Sequence, residues 1–137
     1  MKIQVPREDL LKQIGYRETP QPKLLKMADE MLGLLRDLLE PRLSFKAIQG
    51  EEDLPAFLAG AVLKYVGAAT LGPKLENRVK AFFDEGKPAE AYILDTAGSI
   101  AVTKAGDILW DSIRRDAATR GFKKGSRSTH GCRGVDL

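Results

Sequence analysis

The amino-acid sequence predicts an α+β fold in which helices pack on a small antiparallel sheet and one long helix lies towards the C-terminal side. Three observations predict it. Apolar residues recur at helical spacing in residues 22–40, 74–85 and 88–120, and residues 42–49 alternate apolar with polar positions. Two further segments, Ala59–Gly72 and Tyr92–Val102, are rich in glycine and alanine, which lets neighbouring backbones or a flat ligand come close.

In chain order, Pro6 followed by Arg7, Glu8 and Asp9 opens a short helix that turns Leu10 and Leu11 inward and stops at Gly15. A Pro-bounded turn, RETPQP, follows. Helix two starts near Pro22, carries Leu24, Leu25, Ala28, Met31, Leu32, Leu35 and Leu39 as a core stripe, and ends at Glu40-Pro41. Residues Arg42 to Gln49 place Leu43, Phe45 and Ala47 on one face of a half-buried strand, and Gly50 with the acids behind it makes a turn. Asp53 caps a short helix with Pro55 in its first turn.

Residues Val62 to Leu71 begin β-branched and aromatic and end small, a pattern that suits a strand and leaves a helix open. Lys74 to Glu85 sets Leu75, Val79, Phe82 and Phe83 on one helical face and stops at Gly86. From Pro88 to about Arg120, the apolar positions Tyr92, Ile93, Ala97, Ile100, Ala101, Ile108, Leu109 and Ile113 predict one long helix ending at Gly121. Gly98 and Gly106 each cost this helix about 1 kcal/mol relative to alanine, a cost expected where another element packs close.

The 137 residues suffice for one domain that buries roughly two thirds of its unfolded surface. The composition, 43% hydrophobic and 30% charged, is that of a globular protein, and no apolar run approaches the ~20 residues of a membrane span. The N-terminus, MKIQVPREDLL, meets charged residues before an apolar core could form, so no secretory signal is read and a cytoplasmic protein is expected. One cysteine, Cys132, fits a reducing compartment. The net charge of +3 resides wholly in residues 122–137, where Lys123, Lys124, Arg127 and Arg133 face one acid, Asp136. Such a tail is either a solvated terminus or a contact for an anion.

The order of Leu10-Leu11-x-x-Ile14-Gly15-Tyr16, the Leu-rich second helix, the strand after Glu40-Pro41-Arg42, Ala69-Thr70-Leu71-Gly72 and Leu94-Asp95-Thr96-Ala97-Gly98-Ser99 resembles the activation (reactivation) domain of cobalamin-dependent methionine synthase. It is most similar to short stand-alone relatives of that domain. The resemblance covers residues 8–121, so residues 1–121 are expected to form the activation-like domain and 122–137 a basic, Gly-containing tail. It implies a module that binds S-adenosylmethionine and presents it to an oxidised vitamin B12 (cobalamin) cofactor on a partner corrinoid protein or methyltransferase. A reductant protein would supply the electron. Such an accessory module serves methionine biosynthesis and is more a holder of the methyl donor than an enzyme with catalytic residues of its own.

The family's binding signature, an Arg-x-x-x-Gly-Tyr loop after the long helix with an acid on that helix, falls here on Arg127, Gly131, Cys132 and Asp111. Arginine offers a planar fork for the methionine carboxylate, glycine lets backbone approach the ligand, and an acid offsets the ammonium or sulfonium charge. Asp111 can equally be an exposed helix acid paired with Arg114 or Arg115. Two departures stand out: Cys132 occupies the tyrosine position, and the family domain continues for many tens of residues beyond the point matching Leu137. The fold is therefore expected to be incomplete relative to the family, with a second copy covering the missing wall as a homo-oligomer.

The alternative reading is a non-catalytic interaction or oligomerisation module of a corrinoid methyl-transfer system that has lost S-adenosylmethionine binding. Other chemistries find less support. His130-x-Cys132 supplies two ligands where a zinc site takes four, no CxxC occurs, and Gly72-Pro73-Lys74 lacks P-loop spacing. Four clustered cations with only Phe122 beside them do not make the aromatic and basic interleaving of a nucleic-acid surface.

Overall fold

A computed structural model describes residues 2–15, 21–48 and 64–121. These form four helices and two strands in the order α1 (Arg7–Ile14), α2 (Pro22–Leu38), β1 (Arg42–Ile48), β2 (Lys64–Thr70), α3 (Pro73–Asp84) and α4 (Pro88–Thr119). The strands pair as a two-stranded antiparallel sheet, so the class is α+β with one long C-terminal helix. The segment that left strand and helix open is a strand at residues 64–70. The helix expected at Asp53 lies outside the described residues, as do residues 17–20 of the expected RETPQP turn, whose last two residues are the N-cap and first residue of α2.

Two compact units can be distinguished. One takes α1, α2, α3 and α4 through Ala105; the other takes β1 from Leu43, β2 through Ala69 and α4 from Gly106.

The first unit is built on side-chain periodicity. In α2, Ala28, Met31, Leu32 and Leu35 are buried, as the stripe requires, and α2 packs on both α1 and α3. Leu10 of α1 is fully buried, while Leu11 is only half-buried, because adjacent helical positions lie about 100° apart and one face of a short helix takes one of them. Gly15 ends α1 at φ 103°, a left-handed conformation that directs its N–H back to the carbonyls of Leu11 and Lys12. The same geometry corrects the expectation for α3: Leu75 and Phe82 are buried, but Phe83 is 55% exposed. Phe82 is further covered by the Arg78 guanidinium, 4.3 Å from its ring centroid.

Gly72 joins β2 to α3 and is constrained twice. Its φ of 86° disfavours any side chain, and a Cβ there would lie 2.9 Å from the Glu40 Cβ. The close passage is held by the Glu40 N–H donating to the Leu71 carbonyl at 2.8 Å.

The first part of α4 buries Ala91, Ile93, Leu94, Ala97, Gly98, Ala101 and Ala105. Most of these are small, and the reason is visible at Gly98, where an added Cβ would meet Leu75 Cδ2 at 2.8 Å. The helix's opposite stripe holds Tyr92, which is 52% exposed instead of facing the core, together with exposed Asp95, Ser99 and Val102. Hydroxyls along α4 are satisfied within the helix: Thr96, Ser99, Thr103 and Ser112 each donate to the carbonyl four residues earlier. Close packing does not account for Gly106, whose added Cβ would find nothing within 4 Å.

The two helical glycines therefore respond oppositely to substitution. Gly106→Ala should raise unfolding stability by about 1 kcal/mol through helix propensity alone. Gly98→Ala should lower it by about 1 kcal/mol, because overpacking against buried Leu75 outweighs the same propensity gain. Urea melts of both variants decide this, and equal stabilisation by both would show that Leu75 does not restrain Gly98.

Candidate functional site

A two-stranded sheet is marginal by itself and needs a packed helix to cover it. In the second unit, that role falls to the later part of α4. Gly67 of β2 makes room for it: a Cβ at this position would lie 3.2 Å from both Leu109 methyl groups and from the Phe45 Cβ. Strand β1 adds Phe45, whose ring lies 6.0 Å from that of Tyr65 at an interplanar angle of 58°, a tilted pair.

One carboxylate ties these elements together. The Tyr65 phenol donates to Asp116 Oδ2, linking β2 to α4, and Arg120 Nε donates to the same oxygen from 3.1 Å, one turn along the helix. Burial of the phenol and the hydrogen bond and negative charge of Asp116 push the Tyr65 pKa above its ordinary value, while Arg120 pulls the other way. Beside this cluster is an open cleft of about 570 Å³, lined by Phe45, Lys46, Ala47, Asp116 and Arg120.

Of the residues singled out from the sequence, Asp111 lies on α4 in this unit and is exposed. Its exposure on the helix is what the alternative reading, an exposed helix acid, expects, and among the described residues it forms no ion pair with Arg114 or Arg115. Arg127, Gly131 and Cys132 lie outside the described residues, as does His130. The structure thus brings together Tyr65, Asp116 and Arg120, a cluster the sequence reading did not single out. The Asp116–Arg120 half follows from i,i+4 spacing on a helix. The Tyr65 half spans 51 positions and has no local signal.

Among the described residues, no group of three or more His, Cys, Asp or Glu side chains could hold a metal ion, and no helix is long and apolar enough to cross a membrane. Compared with models of known protein families the chain matches none, and no curated protein matches it in sequence.

The Tyr65–Asp116 bond has a titration signature. Asp116→Asn removes the charge and the carboxylate acceptor, so the tyrosine raised above the ordinary value of about 10 should return towards it. A phenol whose folded pKa is raised contributes stability below the unfolded value and loses it as pH climbs through the folded one. The wild type should therefore lose more stability than Tyr65→Phe above about pH 10. Ultraviolet titration of tyrosinate in the wild type, Asp116→Asn and Tyr65→Phe checks this. A titration curve unchanged by Asp116→Asn would remove the carboxylate as a cause.

Proposed function

We propose that the chain is an S-adenosylmethionine-binding module that supports reductive methylation of a corrinoid cofactor on a partner methyltransferase. The motif order over residues 8–121 motivates the reading, and the observation that carries it is the state of Asp111. This acid sits on the long helix where the resemblance calls for one, and it is exposed and unpaired among the described residues. A carboxylate left without a cationic partner suits a ligand bearing an ammonium and a sulfonium.

The remaining roles are those that the resemblance implies, and the side-chain chemistry suits them. Arg127 grips the methionine carboxylate through two parallel N–H donors, Gly131 allows close backbone approach, and Cys132 stands at the aromatic position of the signature. S-adenosylmethionine supplies an electrophilic methyl group, and the task of this chain is to hold and orient its donor. A thiol at position 132 offers less stacking surface than a tyrosine, so the affinity should be lower than an aromatic residue there would give.

Calorimetric titration of the chain with S-adenosylmethionine is the direct test. Binding is expected, with Arg127→Ala weakening it about 10- to 100-fold, as loss of a charge-assisted hydrogen bond does. Asp111→Asn should weaken it by about 10-fold, and Cys132→Tyr should strengthen it. No heat at millimolar ligand would remove the donor-holding role and leave an interaction module as the reading. A pull-down with a cob(II)alamin-loaded corrinoid protein would then test that module, and failure to form a complex would count against it as well.

A further inference from the structure

Donor holding does not use the cleft beside β1, and its side chains have a chemistry of their own. Among the described residues Arg120 is held through Nε: that nitrogen donates to Asp116, whose Oδ2 also accepts from Tyr65. The carboxylate is thereby occupied inside the protein, while the terminal N–H groups of Arg120 have no acceptor among the described residues. The side chain of Arg120 is 46% exposed. Lys46 borders the cleft through its strand, but alternation along β1 puts it on the face opposite Phe45 and Ala47. Among the described residues, Arg120 is therefore the cation beside the Phe45 ring, with its terminal N–H groups open to a further acceptor.

Its apolar part is also specific. Phe45 is 37% exposed on a strand whose partner, Tyr65, covers it only at a tilt. An accessible aromatic ring beside a guanidinium is a surface on which a flat group stacks while its anionic substituent meets the fork. The volume, about 570 Å³, falls within the range of roughly 300–1,000 Å³ found for small-ligand sites.

We infer that this cleft binds a small organic anion carrying a flat ring, with the terminal N–H groups of Arg120 on the anionic group and Phe45 against the ring. Tyr65 and Asp116 are positioning residues for Arg120. The inference is independent of S-adenosylmethionine binding and involves neither Asp111 nor Arg127. A nucleoside monophosphate combines both features, and inorganic phosphate and the free nucleoside separate them.

The experiment is calorimetric or NMR titration of the whole chain with AMP, adenosine and inorganic phosphate. AMP should bind at least about 10-fold more tightly than either part, since each part keeps only one of the two contacts. Arg120→Gln should weaken AMP about 10-fold or more, and Arg120→Lys should recover only part of this, because an ammonium keeps the charge but not the fork. Phe45→Leu should bring AMP down to the affinity of inorganic phosphate and leave phosphate unchanged. Tyr65→Phe should weaken AMP several-fold while the circular dichroism spectrum stays that of the wild type, and Asp111→Asn should have no effect. The assignment is overturned if AMP does not bind at millimolar concentration, if Arg120→Gln binds it as the wild type does, or if inorganic phosphate binds as tightly as AMP. Competition between AMP and S-adenosylmethionine would also overturn it as a separate site.

Discussion

The constraint on which the packing depends is the absence of a side chain at a few positions where elements approach closely. Leu75 of α3 reaches α4 because position 98 has no Cβ for it to meet at 2.8 Å. In the other unit, Leu109 of α4 and Phe45 of β1 approach β2 because position 67 has none. A protein interior is packed as densely as an organic crystal, so one extra methyl group at such a point displaces a buried neighbour instead of filling space. The alanines of α4 extend the same logic: Ala91, Ala97, Ala101 and Ala105 are all completely buried.

Where close packing ends, polar chemistry takes over. Every buried residue of α4 lies at or before Ala105. Beyond it the helix is half-buried or exposed, and its attachment within the second unit relies on Leu109 over Gly67 and on the carboxylate of Asp116. A single acid accepting from a phenol and a guanidinium fixes the orientation of both donors, which a surface ion pair alone would not do. The other ion pairs, such as Arg7–Asp29 and Lys104–Asp9, join exposed side chains and contribute little to stability.

Most of the secondary structure was legible from local signals. Pro6, Pro22, Pro73 and Pro88 mark helix starts, and Gly15, Gly86 and Gly121 adopt the positive φ that stops require. The strand at 42–48 is present, but only Leu43 and Ala47 of its expected face are half-buried, and Phe45 is exposed. Apolar identity was a poorer guide to burial. Phe83 lies off the stripe of α3 that buries Leu75 and Phe82, and Tyr92 lies on the exposed stripe of α4 with Asp95, Ser99 and Val102. Gly106 was read as a packing glycine from its type alone, and its surroundings are empty. For the candidate site, Asp111 is singled out through the family resemblance alone, whereas the Tyr65–Asp116 link has no local signal because its partners are 51 positions apart.

By itself, the sequence determined the α+β class, the order of elements and the long last helix, because propensity, periodicity and turn residues act over a few positions and need no distant partner. It also determined where the charge accumulates. Only the tertiary structure decided which small residues are spacers, which aromatics face outward, and that Tyr65, Asp116 and Arg120 share one cluster beside an open cleft. These depend on distances between segments tens of residues apart, and no local pattern encodes such a distance.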